Sequence, residues 1–257
     1  MHILTFRLSI FGDYKQYTPT SANSIAWTQA LQTAGYNFLP NIIQTTQQII
    51  NVPFVTAKIG SNDKRMQFIS PDGDIKIRIL AERVDVEFTL GASDTTEQYF
   101  TDKLPEARSI MNTMLATLGD VHGNRLAYYV DVIIPETEDS SFADFYQANN
   151  LGISVNNASE KCVEWNHRFN SRVPIEVGGN DELSNAILVL ESGILQTVNV
   201  ATGEQQEIKG LHIAADINTV AENKVIRFNS DSVSCFASHA QELFLDLLRQ
   251  VKEKYTA

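Results

Sequence analysis

The chain has 257 residues, of which 43% are hydrophobic and 20% are charged, so it is long enough to bury a sizeable core and too apolar for wholesale disorder. Its net charge of −11 opposes non-specific binding to nucleic acids and to anionic lipids. No stretch approaches the roughly 18 to 20 consecutive apolar residues of a membrane span, and the N-terminus lacks the features of a secretory signal, so we expect a cytoplasmic protein that does not contact membranes.

The two cysteines, Cys162 and Cys235, are far apart in the sequence, and each lies within an apolar pattern. This placement favours buried free thiols in a reducing compartment. A disulfide and a catalytic thiol stay open as alternatives. Two free thiols would agree with the expected cytoplasmic location.

The first strand and helix are predicted near the N-terminus. Residues 2 to 11 alternate apolar and polar side chains, which is typical of a strand with one buried face. Thr20 or Ser21 can cap a helix that ends at Gly35. The apolar positions assigned to this helix are Ile25, Trp27, Ala30, Leu31 and Ala34. The following segment is rich in β-branched residues but contains Pro40 and Pro53, which predicts irregular edge strands.

Three apolar-alternating runs between Met66 and Leu90 give the clearest pattern in the chain. The Pro71-Asp72-Gly73-Asp74 turn joins the first run to the second, which predicts an antiparallel meander. Pairing of the last two strands would place basic residues of one beside acidic residues of the other. The predicted partners are Lys76, Arg78, Asp85 and Glu87. Lys64, Arg65, Lys76, Arg78 and Arg83 are accordingly interpreted as salt-bridge partners before a nucleic-acid site.

A helix is predicted after the meander, from a cap at Asp94 to Leu118. Pro105 predicts a kink, or a short helix followed by a second one. The predicted inner stripe comprises Ala107, Ile110, Met111, Met114, Leu115 and Leu118.

The second half of the chain predicts a similar order of elements. A strand from Leu126 to Ile134 precedes a brief helix at Phe142 to Ala148, and three alternating segments follow, with a hairpin turn at Ala201-Thr202-Gly203. The final helix is predicted to begin between Asn229 and Ser232. Its apolar stripe comprises Val233, Phe236, Ala240, Leu243, Phe244, Leu247, Leu248 and Val251.

Together these elements predict an α+β fold of two pseudo-equivalent halves, residues 1–122 and 123–257. Each half reads strand, helix, three or four strands, helix, and the two are expected to share one continuous curved antiparallel sheet with the helices on one face. This order resembles that of TATA-box-binding-protein-like folds, a likeness that bears on architecture alone.

Several phrases also resemble a sporadically distributed bacterial family without an assigned activity. They are the W-x-x-A-L-x-x-A-G helix at Trp27 to Gly35, the segment RMQFISPDG before paired strands, and LHIAADINT before a helix that contains Phe244. The likeness covers nearly the whole chain. It implies no catalytic residues, and its patchy distribution is similar to that of accessory or defence-associated genes.

The common motifs for phosphate, zinc, acyl-transfer and dinucleotide chemistry are absent from the sequence, so we expect neither a cofactor nor a metal. The best polar cluster combines Glu164 and His167 on one strand with His212 and Asp216 on another. His212 and Asp216 are four residues apart and therefore share one face of a strand, opposite the apolar set. An acid–base or metal site there is the weaker hypothesis, and polar residues on a solvated sheet face are the simpler one.

The leading functional hypothesis is a non-enzymatic, cytoplasmic module that binds a partner protein or a second copy of itself. Prolines on the edge strands favour binding through a sheet or helix face over strand addition. The alternative is a small-molecule binder with a pocket between sheet and helix, for which Trp27, Trp165, Tyr128 and Phe244 are the candidate lining residues. An enzyme of unknown class is the third hypothesis.

Overall fold

The computed structural model describes residues 1–45, 48–52, 55–59, 63–89, 96–137, 165–198, 203 and 205–255. These residues form an α+β fold with three helices, a nine-stranded antiparallel sheet and a separate two-stranded hairpin. The strands are β1 (His2–Phe11), β2 (Leu39–Thr45), β3 (Gln48–Val52), β4 (Val55–Ile59), β5 (Asp63–Ile69), β6 (Ile75–Ile79), β7 (Arg83–Thr89), β8 (Arg125–Pro135), β9 (Asn166–Val177), β10 (Asn180–Val198) and β11 (Gln205–Thr219). The helices are α1 (Ser21–Thr33), α2 (Gln98–Thr117) and α3 (Ser230–Tyr255).

The strand order of the large sheet is β2-β5-β6-β7-β1-β8-β11-β10-β9, and β3 pairs with β4 in the separate hairpin. The first strand, β1, lies between β7 and β8 near the middle of the sheet. The two edge strands are β2 and β9, and each contains a proline, Pro40 and Pro174. Proline is tolerated at these positions because an edge strand has one side without a ladder partner.

Alternate side chains of the strands form a buried inner face, against which α2 and α3 pack. At its centre Phe6 lies 5.2 Å from Tyr128 between ring centroids, and Phe100 of α2 meets Phe244 of α3 edge-on at 5.1 Å. These four aromatic side chains come from both halves of the sequence and are fully buried. The opposite face of the sheet, called the outer face below, carries most of its polar side chains.

The predicted meander is confirmed, with its register. Lys76 pairs with Glu87 and Arg78 with Asp85 along the β6–β7 ladder. The ion pair forms between diagonal neighbours of this ladder: both terminal nitrogens of Arg78 donate to Glu87, at 2.9 and 2.7 Å. Asp85 accepts instead from Arg83 at 2.9 Å. Arg78 and Arg83 are therefore salt-bridge partners, as predicted, whereas Lys64 and Lys76 form no salt bridge with a described residue.

Helix α1 is confirmed, but two of its assigned apolar positions, Ile25 and Ala34, are exposed. The Thr20 side chain caps the helix by accepting from the Asn23 N–H, and Gly35 takes the predicted left-handed conformation at φ 91°. Trp27 and Leu31 are buried, whereas Ile25 is 58% exposed. A helix of this length on the margin of the sheet buries a narrower stripe than the apolar spacing suggested.

Helix α2 is one helix of 20 residues that continues through Pro105, so of the two predicted forms the division into two helices is wrong. Pro105 cannot donate to the carbonyl of Thr101, and both residues lie on the exposed side of the helix, where water can hydrate that carbonyl. Buried residues on either side of the proline, such as Leu104 and Ala107, continue the same stripe against the sheet. Packing of that stripe therefore holds the helix together across the missing hydrogen bond.

Several predictions lie outside the described residues: the cap at Asp94, the helix at Phe142 to Ala148, the edge proline Pro53, the turn residues Ala201 and Thr202, and the side chains of Cys162 and Glu164. Cys235 is described and is a free thiol. None of the described helices is long and apolar enough to cross a membrane.

Candidate functional site

The edge strand β9 joins β10 through a two-residue turn at Gly178 and Gly179. Both glycines have positive φ, 61° and 83°, which is the requirement of the tight turn that closes many hairpins. Such a turn makes Val177 and Asn180 a hydrogen-bonded pair. The odd-numbered residues of β9 then bond to β10, as the bond from the Ser192 N–H to the Trp165 carbonyl confirms at the far end. The even-numbered residues direct their N–H and C=O groups to the free edge.

The inner face of this hairpin and the second half of α3 enclose an open groove of about 560 Å³. We call it the β9 groove. It is lined by His167, Phe169, Ser171, Val173, Ala186, Leu188, Leu190, Leu243, Leu247, Gln250, Val251 and Lys254. Near the turn α3 is held to β9, because His239 Nδ1 donates to the Glu176 carbonyl at 2.9 Å.

The β9 groove is apolar on its floor and polar at its rim. Phe169 is 51% exposed, which is a large exposure for an aromatic side chain on the inner face of a sheet. Leu243 and Leu247 on α3 are half-buried and present their remaining surface to the groove. Gln250 and Lys254 supply polar groups at one end. This arrangement suits a ligand with apolar side chains and some negative charge.

Of the predicted site residues that the structure describes, only His167 lines the β9 groove. Its ring stacks on Phe169 at 6.3 Å between centroids and meets Trp165 edge-on at 5.3 Å. Trp165 itself is buried beside the groove and does not line it. Tyr128 and Phe244 are fully buried in the central core, and Trp27 is buried on α1, in the other half of the chain.

His212 and Asp216 share the outer face, as predicted, but bond to different partners. The side chain of Asp216 accepts from Asn218 at 2.9 Å. His212 Nδ1 contacts Glu191 at 2.8 Å, and its Nε2 contacts Asp131. Because carboxylates only accept, both ring nitrogens donate. The hydrogen bond to Asp131 is the main reason that the pKa of His212 is raised above its ordinary value of 6.5, although partial burial acts in the opposite direction.

These polar contacts do not assemble a catalytic centre among the described residues. Both nitrogens of His212 are occupied, and the two carboxylates lie on opposite sides of its ring, so they do not converge on one ion. No group of three or more His, Cys, Asp or Glu within the described ranges could hold a metal. Cys235 lies 3.9 Å from His239 Nδ1, but that nitrogen donates to a carbonyl and so cannot accept the thiol proton.

The sequence suggested a pocket between sheet and helix, but it did not predict the residues that line the β9 groove or the partners of His212. Asp131 and Glu191 are the polar members of alternating runs, and only the pairing of β10 and β8 with β11 brings them to His212. A signal for the groove did exist: Gly178-Gly179 follows the alternating residues Val173, Ile175 and Val177, which is typical of a hairpin strand.

Comparison with known proteins adds no family. The chain matches no protein-family model, and no protein of curated function matches it significantly.

Proposed function

We propose that this protein is a non-enzymatic interaction module that binds a segment of a partner protein in the β9 groove. The observation that carries the proposal is the half-exposed Phe169 on the apolar floor of an open groove. Exposed apolar surface of this kind, rimmed by polar residues, is typical of interaction sites. The polar contacts of His212 and Cys235 offer no catalytic arrangement that would favour the enzyme hypothesis.

A small apolar molecule is the second candidate for the same groove. Its volume of about 560 Å³ lies within the roughly 300 to 1,000 Å³ of common ligand pockets. The groove is open along the edge strand, so a small molecule bound there would leave much of its own surface in water. This favours a segment of a partner protein over a small molecule.

The strand order supports a further proposal about the origin of the fold. Reading outward from the central pair β1 and β8, one side runs β7, β6, β5 and the other runs β11, β10, β9. We infer that residues 1–122 and 123–257 are two pseudo-equivalent halves with a TATA-box-binding-protein-like order. Membership of the bacterial family, a cytoplasmic location and an accessory or defence-associated role stay predictions.

Selection from a random peptide library tests the proposed function. The library is selected on the wild-type protein, on Leu247→Arg in the groove, and on Ile25→Arg as a control at an exposed apolar residue of α1. We expect peptides rich in apolar residues to be enriched on the wild type and the control and to be lost on Leu247→Arg. Equal melting temperatures would show that the variants are folded.

Two results would contradict the proposal. Absence of enrichment on the wild type, or enrichment of the same peptides on Leu247→Arg, would remove the groove as a protein-binding site. Native mass spectrometry of the purified wild type examines the second candidate: a bound apolar molecule that is missing from Leu247→Arg would favour the small-molecule hypothesis.

A further inference from the structure

We propose that the segment bound in the β9 groove is extended, adds to β9 as a new edge strand, and alternates apolar with acidic residues. This inference rests on the proposed function and names its binding mode and the chemistry of the partner. Three features of β9 carry it: open backbone groups, the side chains of its inner face and the charges of its outer face.

The backbone of β9 offers a short, bounded stretch for pairing. Arg168, Asn170 and Arg172 are even-numbered and direct their N–H and C=O groups away from β10, and no described strand pairs with them. Pro174 has no N–H to offer, and the carbonyl of Glu176 already accepts from His239. Pro174 thus prevents pairing at only one end of β9. The argument that edge prolines disfavour strand addition does not apply to Arg168, Asn170 and Arg172.

The inner face of an added strand would lie beside the exposed half of Phe169. Adjacent strands are about 4.8 Å apart, so inward side chains of the partner would cover this ring and the open side of the groove. Apolar side chains are required at these alternate positions, because Phe169, Leu243 and Leu247 present carbon surface to them. The intervening side chains of the partner would lie on the outer face.

The outer face of β9 carries cations that favour acidic residues at those intervening positions. Arg168 is exposed and has no ion pair with any described residue. Arg172 bonds at 2.9 Å to Glu222, which is itself exposed. Directly opposed charges across two strands attract one another, whereas like charges there repel.

A second copy of this chain fits the edge less well. Two β9 strands that pair antiparallel around Asn170 would oppose Arg168 of one copy to Arg172 of the other. Shifting the two-fold axis by one residue would oppose Arg168 to Asn170, which supplies no opposite charge.

A backbone-methylation experiment tests the inference. A fluorescent nine-residue peptide of alternating valine and glutamate is titrated with the full-length protein, and binding is followed by anisotropy. In one derivative all valine nitrogens are methylated, and in another all glutamate nitrogens are. Because alternate N–H groups of a strand point to opposite sides, we expect one derivative to bind roughly tenfold or more weakly and the other to bind like the parent peptide.

Charge reversal supplies the second arm. The Arg168→Glu variant should bind the valine–glutamate peptide more weakly than the wild type does. It should bind a valine–lysine peptide more tightly than the wild type does. Lys64→Glu, a charge reversal at an exposed position of β5, should alter neither affinity. Melting curves check that both variants are folded.

The outcomes separate this inference from the proposed function. If library peptides need Leu247 but both methylated derivatives bind equally, or Arg168→Glu changes nothing, strand addition is wrong and the groove still binds protein. If no peptide depends on Leu247, the proposed function fails first. A wild-type chain that sediments as a dimer and is dissociated by Leu247→Arg would overturn the inference in favour of a second copy.

Discussion

A single imidazole connects three neighbouring strands on the outer face. His212 on β11 bonds to Asp131 on β8 and to Glu191 on β10. The groups that face this cluster are Tyr129, whose hydroxyl donates to Asp131, and Asn166 of β9, which donates to Glu191. The ring must be protonated to donate at both nitrogens. Loss of its proton would therefore break one of the two contacts, with Asp131 or with Glu191.

The raised pKa of His212 predicts a pH-dependent contribution to stability. A histidine whose folded-state pKa exceeds its unfolded-state value stabilises the fold fully below the unfolded value of about 6.5, and this stabilisation is lost as the pH rises through the folded value. We therefore expect the unfolding free energy of the wild type to fall toward that of His212→Gln as the pH rises from about 6.5 through the raised folded-state pKa. Chemical denaturation across this range measures the difference.

Titration of the His212 ring by NMR provides the matched observation. Asp131→Asn should bring the pKa of His212 closer to 6.5, because the largest cause of the shift is the hydrogen bond to Asp131. If the difference in unfolding free energy between the wild type and His212→Gln stayed constant with pH, the predicted pH dependence would be wrong.

At the scale of one helix, α3 serves both the core and the groove. Phe244 is fully buried between Phe100 and Tyr128, whereas Leu247 is half-buried at the groove. We expect Phe244→Ala to lower the unfolding free energy by about 3 to 5 kcal/mol. Leu247→Ala should cost only about 1 to 2 kcal/mol, because part of its surface is already in water. Urea denaturation of both variants checks this difference. Equal losses of unfolding free energy would contradict the assignment of Phe244 to the core and Leu247 to the groove.

The alternation of hydrogen bonds along β9 predicts opposite effects for neighbouring proline changes. Pro174→Val should leave the stability within about 0.5 kcal/mol of wild type, because the nitrogen of residue 174 points to the free edge. Val173→Pro should cost at least about 1 to 3 kcal/mol, because residue 173 pairs with Ser184 and its N–H belongs to the β9–β10 ladder.

Thermal unfolding of the two variants shows whether the odd-numbered or the even-numbered residues of β9 bond to β10. Destabilisation by Pro174→Val, together with tolerance of Val173→Pro, would mean that the open backbone groups of β9 are the odd-numbered ones. The edge proposed for strand addition would then be displaced by one residue.

The elements that the sequence predicted best are those in which periodicity and local chemistry agree. The alternation of residues 2 to 11 matches β1, and the apolar stripe of α2 is buried as predicted. The sequence did not predict sites that depend on which strands become neighbours. His212 finds Asp131 across 81 residues, and Leu247 meets the inner face of β9 only because α3 folds back over it. Local spacing carries no information about such pairings.

The whole molecule is held together across its midpoint. The β1–β8 ladder joins residues 1–122 to residues 123–257, and Arg108 of α2 donates to Ser238 of α3 at 2.8 Å. Separating the halves would expose two central strand edges and divide the aromatic centre around Phe6 and Phe244.

We therefore predict that neither half folds alone. Residues 1–122 and 123–257, expressed separately, should aggregate or lack a cooperative thermal transition by circular dichroism, and co-expression should restore a soluble complex. A cooperative transition in either isolated half would show that the shared core is dispensable.

The position of β1 between β7 and β8 has a consequence for synthesis on the ribosome. About seventy residues separate the end of β1 from the beginning of β7. At about 5 to 20 residues per second, β1 waits roughly 4 to 14 s for its first partner, and longer for β8. During this time its apolar face and both of its edges are uncovered, and closing such distant contacts is slow. The nascent chain therefore passes through a period in which a chaperone that shields β1 would raise the yield of folded protein.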